Sequence, residues 1–341
     1  MSSNFPPYGG GLGRGFFMMK KNIAIVAGGD SSEYEVSLRS AQGIYGFIDK
    51  SRYNLYIVTL RKSDWRVVLP DGSTKNVDKN DFSFQSDDGK VNFDYAYITI
   101  HGRPGEDGRL QGYFDMIGIP YSSCGVLAGA LTFNKFINNQ FLKSQDVNVS
   151  DSIRLTVGQS VETEDVINRL GLPVFVKPND GGSSFGVSKV KEASQMQPAI
   201  EKAFAEGGEV IIERFVKGTE VTCGCYKTKS KKIVLPITEV VTENEFFDYN
   251  AKYNGEVKEI TPARISDEMT EAIQQQTLKI YDIIGAHGLI RVDYIIPDDN
   301  DPVVLEVNTN PGMTSTSFIP QQIRAAGIDI KDVMADIIED N

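Results

Sequence analysis

Near the C-terminus two apolar runs flank a short acidic turn, and this pattern constrains the chain more than any other. Residues 290–297 (IRVDYIIP) read as a strand, 298–301 (DDND) as a turn and 303–309 (VVLEVNT) as the returning strand. A hairpin centred on that turn sets Asp293 opposite Glu306 and Arg291 opposite Asn308. Side chains two apart share a face, so all four project together. Two carboxylates and an amide side by side make a hard-oxygen site suited to Mg²⁺, which takes a few carboxylates plus nucleotide phosphates. Without a cation the acids would repel, and one would tend to protonate. A neutral surface network of Arg291 with the acids is the plainer alternative, disfavoured by the apolar flanks. Residues 311–318 (PGMTSTSF) follow as a loop able to offer backbone N–H groups to an oxyanion.

In the middle of the chain, 172–177 (LPVFVK) is strand-like, Pro178 ends it, and the loop 179–186 (NDGGSSFG) leads into the strand-like 187–190 (VSKV). A Gly- and Ser-rich hairpin loop can approach a polyphosphate closely, because glycine has no Cβ to block its N–H groups. It lacks the Gly-Lys-Ser/Thr of a Walker loop, and such a loop alone is often just a turn. Lys177 at the end of an apolar strand adds weight: an isolated buried ammonium is costly and wants an anion. Residues 210–216 (VIIERFV) form a similar strand interrupted by Glu213, which either faces solvent on an edge or points into a cleft toward a base or sugar. Glu220 is a second candidate acceptor.

The first part of the chain opens with an apolar strand, 22–27 (NIAIVA), then Gly28-Gly29 and an imperfect helical stripe carrying Val36, Leu38, Ile44, Phe47 and Ile48. Ser32 and Glu35 have the spacing of a capping box at its start. Strand, glycine turn and helix open an α/β sheet, whose ligands gather at the carboxyl ends of strands. The turn reads GGDSSE, without the G-x-G-x-x-G of a dinucleotide fold, which disfavours an oxidoreductase. Further strands are expected at 53–60 and 95–100, with a hairpin-like stretch at 65–72. The loop 101–108 (HGRPGEDG) is either a solvated turn or a substrate-facing loop with His101 at its entrance.

Composition narrows the class. In 341 residues, 35 Lys and Arg against 46 Asp and Glu give a net charge of −11, with no basic footprint for nucleic acid or an anionic membrane. Three Cys and two His exclude a disulfide framework and make a zinc site implausible. Cys223 and Cys225 read as buried fillers. No run approaches the roughly 20 apolar residues of a membrane span. Residues 1–17 (MSSNFPPYGGGLGRGFF) lack a cationic and apolar leader pattern and read as a flexible extension.

Taken in order, the segments GGDSSEYEVSL, HGRPGEDGRLQG, KPNDGGSSFGVSKV, FFDYNAKY, IRVDY and LEVNTNPGMTSTSF resemble the D-alanine–D-alanine ligase family of ATP-grasp enzymes, from about residue 20 to the end. After the flexible extension, taken as 1–19, the resemblance implies an α/β fold with α+β elements in three domains: an N-terminal open parallel sheet domain at 20–123, and central and C-terminal ATP-grasp subdomains at 124–213 and 214–341. ATP would lie between the last two. It further implies a cytoplasmic homodimer acting in peptidoglycan-precursor synthesis, with ATP and D-alanine as substrates and two Mg²⁺ ions replaceable by Mn²⁺.

Position by position, the resemblance casts Lys135 and Lys177 as ligands of the ATP phosphates under a loop carrying Ser184. Glu213 would lie at the adenine end beside Phe215 and Val216, and Glu220 at the ribose. Asp293, Glu306 and Asn308 would be magnesium ligands. Glu33 would recognise the first ammonium, linked through Ser183 to Tyr253 in a closing loop that also holds Lys252, with His101 as a neighbour of that substrate. Arg291 and the Gly312 N–H would form the oxyanion site, and Ser317 would bind the second carboxylate. Three positions depart from the family's pattern: Phe318 replaces a smaller aliphatic residue beside the second-substrate pocket, Phe247 a tyrosine in the closing loop, and Asn134 an aspartate. Tyr253 resembles dipeptide-forming members rather than D-lactate-using ones. The rival expectations are a D-alanine–D-serine or D-lactate ligase of the same fold and a non-catalytic nucleotide-binding regulator.

Overall fold

A computed structural model describes residues 20–182, 186–242, 257–298 and 301–340. Strand β1 (Lys21–Gly28) is an interior strand of a seven-stranded sheet, with Ile23 to Ala27 fully inaccessible. Strands β2 (Tyr53–Arg61) and β7 (Tyr95–Ile98) flank it in parallel. The helix Tyr34–Phe47 supplies the crossover that a parallel pair needs. Beyond β2 the sheet departs from the expected parallel form. Strands β3 (Asp64–Val68), β4 (Thr74–Asp78), β5 (Ser83–Ser86) and β6 (Gly89–Asn92) extend it as an antiparallel meander. Their connections are short turns, which can only return a strand antiparallel.

The expected capping box does not form. The helix starts at Tyr34 with Glu33, not Ser32, at its N-cap, and Glu33 makes no side-chain cap. Ser31 Oγ instead accepts the Glu33 N–H (3.2 Å) and donates to the His101 carbonyl (2.7 Å).

The second sheet is wholly antiparallel in the order β10-β9-β11-β8, from β8 (Ser152–Thr156), β9 (Val174–Pro178), β10 (Ser188–Val190) and β11 (Glu209–Arg214). One face, with Val174, Val176, Val210 and Ile212, packs on the helices Thr163–Leu170 and Met196–Phe204. Alternation puts Lys177 and Glu213 on the other face. β11 lies between β9 and β8, so Glu213 is not on an edge strand.

The third sheet runs β15-β14-β12-β16-β17, from β12 (Thr219–Lys227), β14 (Thr238–Thr242), β15 (Val257–Ile260), β16 (Ile290–Ile296) and β17 (Val303–Asn308); β13 (Lys232–Val234) pairs with the end of β12. One face, carrying Val221, Cys223, Val292, Tyr294 and Val307, shares a core with Ile273, Leu278 and Ile280 of the helix Asp267–Ile283. Cys223 and Cys225 are indeed buried free thiols, and burial pushes Cys223 up to about 12, so it stays protonated. The polar residues of the C-terminal hairpin occupy the other face.

The hairpin register is the expected one where it matters: Arg291 pairs with Asn308 and Asp293 with Glu306. It then slips by one, Tyr294 pairing with Val304, so Leu305 is the extra residue of a bulge. A bulge lets the apolar residues beyond it keep their inward alternation after an odd number of residues.

Candidate active site

A cavity of about 600 Å³ opens where the first sheet's loops, the glycine-rich loop and the hairpin meet. Glu33, His101, Lys135, Arg291, Glu306, Asn308, Gly312, Ser317 and Phe318, named from sequence alone, all line it.

On the N-terminal wall, Glu33 and His101 are both 8% exposed. His101 Nε2 lies 3.5 Å from Ser40 Oγ and its Nδ1 lies 3.9 Å from Glu106 Oε1. Glu106 Oε2 accepts the Gly102 N–H at 2.7 Å. A Cβ at Gly182 would fall 2.5 Å from Glu33 Oε2, so the carboxylate sits directly on the backbone of the glycine-rich loop. HGRPGEDG is thus cavity wall rather than solvated turn.

The opposite wall carries the acids. Asp293 Oδ1 accepts from Arg291 Nε (2.8 Å) and Thr222 Oγ1 (2.6 Å); its Oδ2 accepts from Arg291 Nη2 (2.8 Å) and Asn308 Nδ2 (3.0 Å). Glu306 pairs with Lys135 Nζ at 3.1 Å, and the same ammonium donates to the Gly181 carbonyl at 2.5 Å. On the second sheet Lys177 Nζ lies 2.5 Å from Glu213 Oε2, while Asn139 Nδ2 donates to Glu213 Oε1 at 2.9 Å.

The expected protonation of one acid is averted by these cations. Burial opposes the charge of Glu306, but Lys135, Lys177 and Arg291 outweigh it and hold the carboxyl below its ordinary range. Burial likewise pulls Lys135 and Arg291 down, and is outweighed by Glu306 for the first and Asp293 for the second, so both rise. Glu306, Lys135 and Arg291 are therefore all held in their charged forms. Among the described residues no three His, Cys, Asp or Glu side chains converge on one point; the hairpin offers two carboxylates and one amide.

The loop after β17 closes the cavity. Ser317 Oγ accepts from the Thr314 N–H (3.1 Å) and contacts Thr314 Oγ1 (2.7 Å), and a Cβ at Gly312 would lie 3.1 Å from Ser317 Oγ. Asn310 Nδ2 donates to the Ile100 carbonyl (2.7 Å), tying the loop to the end of β7's segment. At Gly43 a Cβ would come within 2.3 Å of the Met313 carbonyl, so only glycine lets the Tyr34–Phe47 helix lie this close.

Six of the expected residues that the structure describes do not line the cavity: Asp293, Lys177 and Glu213, just described, and Phe215, Val216 and Glu220. Phe215 sits beneath Lys189 Nζ, 4.0 Å from the ring centroid, and against Phe175 at 5.9 Å; Val216 follows it in the chain. Glu220 pairs in register with Val240 and Ile295 on β12. Ser183, Ser184, Phe247, Lys252 and Tyr253 lie outside the described residues. Asn134 caps the helix Lys135–Ser144 by accepting the Ile137 N–H (3.0 Å), so this departure keeps a working cap. Sequence reasoning missed Thr222, Glu106, Asn139 and Lys189. Thr222 was readable by strand alternation from Glu220; the others become neighbours of the site only through packing.

Residues 22–124 match the family model described as D-ala D-ala ligase N-terminus, and residues 141–339 that described as D-ala D-ala ligase C-terminus. The chain belongs to the D-alanine–D-alanine ligase family. It is 68% identical over 322 residues to the D-alanine–D-alanine ligase of Parabacteroides distasonis, covering 94% of this chain and 98% of that one. Among solved structures it resembles the VanG D-Ala:D-Ser ligase of Enterococcus faecalis (TM-score 0.82, 30% identity, 94% and 99% coverage). It also resembles the Bacillus anthracis D-alanine–D-alanine ligase complexed with ATP (TM-score 0.75, 30% identity, 94% and 97% coverage). This D-alanine–D-alanine ligase family member is an ATP-dependent ligase of the ATP-grasp fold. Membership removes the oxidoreductase and regulator alternatives. Among the described residues no helix is long and apolar enough to cross a membrane.

Proposed function

We propose that the cavity joins two D-alanine molecules through an acyl phosphate, with its residues in the roles assigned from sequence. The observation that carries this reading is the set of cation–carboxylate pairs at and beside the cavity: Arg291 with Asp293 and Lys135 with Glu306 on the hairpin side, and Lys177 with Glu213 on the second sheet. Each cation assigned to phosphate or oxyanion is held beside an acid assigned to metal or nucleoside.

A carboxylate is a poor acyl donor, so the γ-phosphoryl of ATP is first transferred to the carboxylate of one D-alanine, and ADP is released. The free amine of the second D-alanine attacks that carbonyl, and inorganic phosphate leaves the tetrahedral intermediate with its electron pair. Lys135 and Lys177 hold the phosphates during transfer. Glu33 holds the first ammonium and His101 flanks that substrate. Arg291 and the Gly312 N–H face the oxyanion, and Ser317 binds the second carboxylate. Ser183, Ser184, Lys252 and Tyr253 keep their proposed places in the glycine-rich and closing loops, where water exclusion protects the acyl phosphate. Glu213, Phe215, Val216 and Glu220 form the nucleoside end, with Phe175 and Lys189 beside them.

Asp293, Glu306 and Asn308 fit Mg²⁺, with Mn²⁺ as a substitute: they are adjacent hard-oxygen donors on one face, and two carboxylates leave room for phosphate oxygens. When bound, Mg²⁺ neutralises phosphate charge in transfer. Because Asp293 accepts four hydrogen bonds from Arg291, Thr222 and Asn308, holding a metal requires some of these donors to let go. A cytoplasmic homodimer feeding peptidoglycan-precursor synthesis is the corresponding setting.

The test is ADP release dependent on added D-alanine and Mg²⁺. Asp293→Asn should lower kcat by about a thousandfold, and substantial retained turnover would remove the metal role assigned to it. Competition among D-alanine, D-serine and D-lactate in the same assay fixes the acceptor; preference for D-lactate near neutral pH would overturn D-alanine.

A further inference from the structure

Phe318 is the first residue of the helix Phe318–Ala325, lines the cavity and is 8% exposed. Its ring centroid lies 5.3 Å from Arg291 Cζ. Asp293 grips the same guanidinium along its Nε–Nη2 edge, and Nη1 makes no hydrogen bond among the described residues. One edge is therefore fixed, the ring lies against the group, and the remaining donors are left for the cavity that Arg291 lines.

One helical turn further, the fully buried Gln322 ties this helix to β12. Its Oε1 accepts the Gly224 N–H (3.0 Å), and its Nε2 donates to the Thr222 carbonyl (2.9 Å) and Thr238 Oγ1 (3.1 Å). Thr222 is also the residue whose hydroxyl donates to Asp293. Residues four apart lie on one helix face, so Phe318 and Gln322 lock the aromatic ring to the strand that orients Asp293. An aliphatic side chain would fill similar space but has no quadrupole to attract a guanidinium.

We propose that Phe318 is a positioning residue, its ring holding the Arg291 guanidinium where the unbonded donors meet the tetrahedral oxyanion. The inference rests on the oxyanion role proposed above for Arg291. It gives a physical purpose to the position where this chain departs from the smaller aliphatic residue of the family's pattern.

The experiment measures D-alanine-dependent ADP release in Phe318→Leu, Phe318→Met, Phe318→Tyr, Arg291→Gln and the Phe318→Leu/Arg291→Gln double variant, with thermal unfolding of each. Phe318→Leu and Phe318→Met should lower kcat about tenfold, with KM for ATP and for the acceptor D-alanine nearly unmoved, while Phe318→Tyr should lose only about twofold. Arg291→Gln should lose about a hundredfold, and adding Phe318→Leu to it should cost nothing more. Three results would overturn the inference: a rise in acceptor KM with kcat intact, wild-type turnover in Phe318→Met, or the same tenfold loss in the Arg291→Gln background. Near-wild-type turnover in Arg291→Gln would instead overturn the oxyanion reading itself, so the two failures are distinguishable.

Discussion

The hairpin β16–β17 and the pair β9–β11 solve the same problem differently. Each is an antiparallel pair with an apolar face on a helix-backed core and charged side chains on the other. On β9–β11 the charge beside the site is one ion pair, Lys177 with Glu213, assisted by Asn139, while Glu209 on β11 pairs separately with Arg154. On β16–β17 it is a network in which Arg291, Thr222 and Asn308 all converge on Asp293 while Lys135 reaches Glu306 from a neighbouring helix. A single pair can exchange its partner for a ligand with one rearrangement. A network strands several groups when one is removed, which rigidifies the acids and raises the cost of any change.

Lys135→Met gives the largest break in this comparison. It should lower kcat at least about a hundredfold by loss of phosphate contact. It should also cost about 2 kcal/mol of stability in urea unfolding, because Glu306 is left without its ammonium. Loss of activity with unchanged stability would show that Glu306 does not depend on Lys135. Glu213→Gln, on the simpler pair, should raise KM for ATP about tenfold and move kcat less; a kcat effect as large as that of Lys135→Met would erase the distinction between the regions.

The pH response sharpens the contrast. Glu306 is held below its ordinary value of 4.5 in the folded protein. The unfolded chain then binds more protons than the folded one between the two values. The stability from Glu306 is therefore complete above pH about 4.5 and is lost as pH falls through the folded value. Glu306→Gln should flatten that acid limb of the thermal-unfolding profile; an unchanged slope would show that other carboxylates govern it. The smallest effect is expected at Gly182→Ala. The added methyl meets only the end of the flexible Glu33 side chain, so KM for the first D-alanine should rise about threefold, and a loss beyond tenfold would mean that Glu33 cannot move aside.

Much of this site was legible before any coordinates. The Asp293–Glu306 and Arg291–Asn308 pairings follow from turn position and strand alternation, both local properties. The bulge at Leu305 was not legible, because it reflects which apolar residues the Asp267–Ile283 helix accepts. The Ser32–Glu35 spacing suggested a cap that the loop chemistry overrode, since Ser31 bonds across to His101. The parallel reading of the first sheet held for the three strands β2, β1 and β7 and gave way to an antiparallel meander at the short turns after β2.

By itself the sequence determined the periodicities, the turns and the chemical types of the site: which strands alternate, where glycine permits close approach, and which acids share a face. Those follow from covalent geometry over a few residues. Only the tertiary structure decided that Lys135 meets Glu306, that Thr222 and Phe318 flank the Arg291–Asp293 pair, and that His101 faces the same cavity as Ser317. Such partners come from segments as much as 216 residues apart, as His101 and Ser317 are, brought together by the burial of separate apolar faces, and that packing carries no local signature in the chain.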